Sequence, residues 1–220
     1  MTQGIRSRNK IYVVIYGAHN NGSRAFCKYL AQYGYSLILI DREEPMLTSM
    51  QKAITSEFPE CSIMKIRMDE FDEGEALRVV KQVNKLGDSI KGLILTKNIM
   101  LSENNTKKFE ELSYEEMHQM MHINNEIAVG ITNVLLKSIK KTGDGFIINL
   151  RNTKHKSVRD MIFWDLLFYS TSQFSKNFIS AIRESEPKLN VIDVKLNYSN
   201  IKKEDEKYKL CSKTFGYLGI

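Results

Sequence analysis

The chain has 220 residues, 42% apolar and 26% charged, which is enough to bury one substantial core and suits one domain better than two. No apolar run approaches the roughly 20 residues of a bilayer-crossing helix, and Cys27, Cys61 and Cys211 are odd in number and widely spaced, pointing to a reducing compartment and giving no metal-ligand spacing. The formal charge of +6 and pI near 9.1 are modest for this length. The basic residues are spread out, with short clusters such as Lys137, Lys140 and Lys141. A solvated basic surface accounts for them; the alternative is an anionic partner such as RNA, an acidic subunit or a lipid headgroup, the last implying peripheral membrane association. No Asp or Glu precedes Asp41, whereas Arg6, Arg8, Lys10, Arg24 and Lys28 do. An acid-poor, Arg-containing start resembles an organelle-targeting segment, here mitochondrial, although an apolar strand begins at Ile11 and leaves only a short basic tail, residues 1–10, before it. A cytoplasmic location is the other expectation.

Ile11 to Tyr16 is a short β-branched run ending at Gly17, as expected of a strand buried on both faces. A helical pattern follows from Ser23 to Gln32 with Gly34 as its stop, then a strand from Leu37 to Ile40 ending at Asp41. The pattern next predicts a helix from Pro45 to Phe58, a strand from Ser62 to Arg67 and a helix from Glu73 to Leu86, with Asp72 and Glu75 forming a capping box and Gly87 closing it. Gly92 to Thr96 reads as the fourth strand. Ser113 with Glu116 is a second capping box, opening a helix that runs, with a bend, to Lys141. Phe146 to Leu150 is the fifth strand, a long helix follows to Arg183, Val191 to Val194 is the sixth strand, and one last helix spans Leu210 to Tyr217. Six apolar strands alternating with helices imply an α/β domain with a parallel sheet covered on both faces, here residues 11–200, followed by a short C-terminal segment, residues 201–220.

Two stretches carry chemistry. Tyr16-Gly17-Ala18-His19-Asn20-Asn21-Gly22-Ser23 occupies the first strand-to-helix turn, where such a fold receives a pyrophosphate. Tyr169-Ser170-Thr171-Ser172-Gln173 lies in the long helix. Together they resemble the short-chain dehydrogenase/reductase family, over about Ile11 to Tyr198. Ala31-Gln32-Tyr33-Gly34 before Leu37-Ile38-Leu39-Ile40, and Tyr169-Ser170-Thr171-Ser172 followed by Phe178, resemble within it the branch of very-long-chain 3-oxoacyl-CoA reductases and 17-beta-hydroxysteroid dehydrogenases. The resemblance implies a Rossmann-like doubly wound sheet of about six strands, shortened at its C-terminal end, and an NAD(P)(H) site built from Gly17, Asn21, Gly22, Asp41, Asp69 and Asn98. It places Tyr169 at the acid/base position and Asn124 at that of the supporting helix asparagine, both as vestiges of a former site, with Asn152 where the family has its serine and Gln173 where it has its lysine.

The departures follow from the same alignment. Of the three family glycines only Gly17 remains in register; Asn21 and Ser23 take the other places, and Ser23 is expected to loosen helix-to-strand contact. Thr96-Lys97-Asn98-Ile99 replaces Asn-Asn-Ala-Gly, Arg151 and Asn152 replace paired serines, and Gln173 carries no charge to favour a phenolate. Thr153 and Ser157 are remote substitutes for the lost hydroxyl. No histidine pairs with other ligands at metal spacing: His118 and His122 lack the intervening Glu of a zinc-protease helix. These losses favour a catalytically inactive short-chain dehydrogenase-like subunit of a larger protein assembly, possible in a mitochondrial respiratory complex, with no firm cofactor, no metal and no nucleic acid. The alternative is an NAD(P)H-dependent oxidoreductase reducing a 3-ketoacyl or steroid-like carbonyl.

Overall fold

The computed structural model describes residues 10–18, 21–86, 89–96, 113–152, 163–196 and 204–219. The first half runs β1 (Tyr12–Tyr16), α1 (Asn21–Gln32), β2 (Ser36–Asp41), α2 (Glu44–Glu57), β3 (Ile63–Arg67) and α3 (Glu73–Asn84). The second half runs β4 (Ile90–Leu95), α4 (Tyr114–Met121), a π-helical segment (His122–Glu126), α5 (Ile127–Lys141), β5 (Phe146–Asn152), α6 (Phe163–Ser185), β6 (Asn190–Leu196) and α7 (Glu204–Gly216).

All strand pairs are parallel, in the order β3-β2-β1-β4-β5-β6. This is the doubly wound order, which reverses direction between β1 and β4 and leaves a crevice at their carboxyl ends. Tyr16 pairs with Ile40 on one side and Leu95 on the other, so the three central strands finish level. Alternation along each strand feeds two cores. Val13, Ile15, Leu37 and Leu39 pack with α1, α2 and α7, whereas Val14, Tyr16, Ile38 and Ile40 pack with α3, α5 and α6.

Local signals set several boundaries. Gly34, at φ 81°, lets Tyr35 N–H reach the Leu30 carbonyl and its own N–H reach that of Ala31, which closes α1. The Ser113–Glu116 capping box forms as expected. At α3 the predicted box does not form: Asp72 caps the helix by accepting from Gly74 N–H, one residue short of Glu75, whose carboxylate turns to Arg78 one turn along. The expected bend in the long helix is the π-helical segment, and α7 begins six residues earlier than the apolar pattern suggests, with a polar first turn and a half. Phe215 of α7 stacks on Tyr29 of α1 at 4.9 Å and meets Phe26 and Phe146. Among the described residues β6 has β5 as its only strand neighbour, as expected of a sheet edge.

Candidate nucleotide and reaction site

At the β1–α1 turn Gly17 adopts φ 83°, a conformation that any side chain would strain, and its N–H donates to the Ile40 carbonyl at 3.0 Å. Asn21 opens α1, Gly22 is buried behind it, and Ser23 is fully buried. The expectation that Ser23 loosens this corner is corrected. Its hydroxyl lies 2.7 Å from the Gly17 carbonyl and 3.0 Å from Thr96 Oγ1, and Thr96 in turn reaches the carbonyls of Gly17 and Tyr16. A small hydroxyl thus replaces close backbone contact with hydrogen bonds joining the ends of β1, β4 and α1.

The two carboxylates expected to hold an adenosine are engaged by their own turns. Asp41, fully buried, accepts from the N–H groups of Arg42 (2.7 Å) and Glu43 (3.4 Å). Asp69 accepts from Phe71 N–H at 3.1 Å. The Arg42 guanidinium lies 5.2 Å from the Phe71 ring centre and pairs with Glu43, bridging the ends of β2 and β3. Beneath them the buried Tyr16 phenol lies 3.4 Å from the Ile123 carbonyl and within reach of the Glu70 carboxylate, two acceptors for its single proton. Burial first, then the negative charges of Glu70 and Asp41, push the Tyr16 phenol well above its ordinary pKa. Asn98 lies outside the described residues, as do His19, Thr153, His155 and Ser157.

Asn124 is buried in the π-helical segment, against which α6 packs; such single-turn insertions recur at functional sites. His122 in the same segment directs Nδ1 at Glu126 Oε2, 2.8 Å away. Tyr169 and Gln173 sit half-buried on α6, one turn apart. Asn152 ends β5, paired with Leu196, and its side chain lies outside the described residues.

Beside these residues lies a network that sequence reasoning missed. Arg151, 2% exposed, makes a two-pronged ion pair with Asp193 of β6: Nε to Oδ1 at 2.8 Å and Nη2 to Oδ2 at 2.6 Å. Its Nη1 donates to Ser172 Oγ at 3.3 Å. Asn149 donates to Asp193 Oδ1 at 2.9 Å and accepts from the Ser175 hydroxyl at 3.1 Å. Burial alone would raise the Asp193 pKa; hydrogen bonds from Arg151 and Asn149, with the charges of Arg151 and Arg183, hold it below the ordinary carboxylate range. The available signal was an Arg and an Asp, each following a run of mainly apolar residues in two strands that turn out to be adjacent.

No group of three His, Cys, Asp or Glu among the described residues could hold a metal ion, and no described helix is long and apolar enough to cross a membrane. Lys137, Lys140 and Lys141 line, with Asn133 and Leu136, an open cavity of about 420 Å³ on α5, where Lys140 pairs with Glu186.

The profile of the short chain dehydrogenase family matches residues 11–192. The chain belongs to that family. Among named relatives it is 28% identical over 130 residues to a very-long-chain 3-oxoacyl-CoA reductase of Kluyveromyces lactis, covering 59% of this chain and 36% of the relative. It is 25% identical over 191 residues to the protein of the same name from Mycosarcoma maydis, covering 84% and 51%. The chain therefore spans about half or less of the length of the curated relatives it matches. Among solved structures, a bulky-bulky ketone specific alcohol dehydrogenase from Comamonas testosteroni superposes with a TM-score of 0.79 at 15% identity, covering 96% of this chain and 84% of that one. An alcohol dehydrogenase from Thermococcus sibiricus complexed with 5-hydroxy-NADP gives 0.71 at 19% identity, covering 96% and 91%.

Proposed function

We propose that the chain is an NAD(P)H-dependent oxidoreductase of the 3-oxoacyl reductase branch, reducing a 3-ketoacyl or steroid-like carbonyl with Tyr169 as proton donor. The observation that carries this reading is that Tyr169 on α6 and Asn124 in the adjoining π-helical segment are retained together, in a chain whose named relatives are 3-oxoacyl-CoA reductases. The residues present fit a dinucleotide in part. Gly17 holds the open turn and Gly22 stands at the head of α1, where a pyrophosphate would rest, whereas Asp41 and Asp69 each already accept turn amides through Oδ1. A bound cofactor would supply the hydride. Tyr169 gives its phenolic proton to the carbonyl oxygen, and Asn152 or Thr153 takes the hydrogen-bonding part of the absent serine.

A second reading is favoured by Gln173 and Arg151: a non-catalytic subunit of a larger assembly, with a mitochondrial location as its setting. Loss of one positioned acid/base element costs about 10² to 10⁴ in rate, and two such positions are altered. Calorimetric titration with NADPH and NADH, followed by turnover of a 3-oxoacyl thioester, separates the two. Binding with turnover that disappears in Tyr169→Phe supports the reductase. Absence of both, with recovery of the native protein only in a larger particle, supports the subunit.

A further inference from the structure

We propose that Arg151 is a positioning residue for the reaction helix: held by Asp193, it fixes α6 through Ser172 and thereby sets where Tyr169 stands. Ser172 is fully buried and lies three residues, almost one helical turn, beyond Tyr169 on the same side of α6. Arg151 reaches it from β5 with Nη1, while Nε and Nη2 are locked on the two oxygens of Asp193. Asn149 and Ser175 add a second anchor one turn further along. Arg183 adds a third near the C-terminus of α6, donating to the Val191 carbonyl at 3.0 and 3.1 Å.

These anchors all tie α6 to the β5–β6 edge of the sheet. A purely apolar seam would tolerate sliding by a fraction of a turn; hydrogen bonds of fixed direction in a buried setting select one register. With a glutamine at 173, the helix has no cation of its own there to hold it at the site. The strand supplies a bracing contact through Arg151 instead.

The kinetic part of the test rests on the reductase reading, so readouts independent of turnover are paired with it. Two variants are compared with the intact protein: Ser172→Ala, which leaves the ion pair in place, and the double variant Arg151→Met/Asp193→Leu, which removes both charges together. Both are expected to keep the far-UV spectrum, while amide exchange across residues 169–175 speeds about tenfold or more and the Tyr169 ring resonance shifts. The turnover number is expected to fall about tenfold or more with KM unchanged, and Ser172→Thr to restore it. Unchanged exchange and an unchanged Tyr169 resonance in Ser172→Ala would overturn the proposal, whether or not the double variant folds. If the intact protein shows no turnover, the reductase reading falls, and the exchange and resonance data still decide the role of Arg151.

Discussion

The Arg151 side chain is buried and that of Asp193 largely so, so the stability of either charge depends on the other. Removing one partner, as in Asp193→Leu, is expected to cost about 3 to 5 kcal/mol, because a buried guanidinium is left unpaired; urea denaturation measures it. Replacing both with apolar side chains of similar volume should cost far less. The pH dependence has a definite sign. The folded-state pKa of Asp193 lies below its ordinary value, so its contribution is fully present above about pH 4 and is lost as pH falls through the folded value. Asp193→Asn should flatten that acid limb of the stability curve. At the other end of the sheet, Ser23→Ala removes the hydroxyl that contacts Gly17 and Thr96 and is expected to cost about 1 to 3 kcal/mol. The identity of these residues was plain in the sequence, but their partners were not. Which hydroxyl meets which carbonyl depends on strand order and on which way each strand faces.

At the scale of elements, β4 and β5 are fitted to each other through Gly92. A Cβ there would stand 2.4 Å from the Phe146 ring. Gly92→Ala is therefore expected to destabilise by about 1 to 3 kcal/mol, readable in thermal melting. Most strands were legible because they are short aliphatic runs between turn residues, and parallel strands buried on both faces need no alternation. The capping box at Ser113 was legible for the same local reason. The start of α7 was not, because Glu204 to Lys209 is polar and only its later residues, Cys211 and Phe215, are buried in the core. Phe215→Ala, which empties the slot between Tyr29, Phe26 and Phe146, is expected to cost about 3 to 5 kcal/mol.

Over the whole molecule, the alternation of strands and helices foretold a parallel sheet. The order β3-β2-β1-β4-β5-β6 follows once crossovers are right-handed and the chain reverses direction after β3. The candidate site was legible only as a set of positions. Motif spacing singled out Gly17, Asn124 and Tyr169 as candidates, but the engagement of Asp41 and Asp69 by their own turns, and the Arg42–Phe71 bridge, arise from loops converging at the sheet's carboxyl edge. That bridge bears on the fate of any nucleotide. If dinucleotide binding must part Arg42 from Phe71, Phe71→Ala should raise affinity for NADPH in calorimetry, and a fall in affinity would show that the ring supports the ligand instead.

The π-helical turn at His122–Glu126 gives the long helix a phase as well as a length. Downstream, Ile127, Ile131, Leu135 and Ile139 keep one angular setting toward the sheet; upstream, Tyr114 and His118 keep another. The extra residue is the offset between the two, much as a vernier shifts one scale against its neighbour. Deleting Asn125 would let the backbone relax to an ordinary α-helix with α4 still facing the same way, because the wide turn holds one residue more than an α-turn, and both far-UV helicity and near-UV tertiary signal are expected to persist. A helix of the same length without the wide turn would instead present its first turns about 100° away.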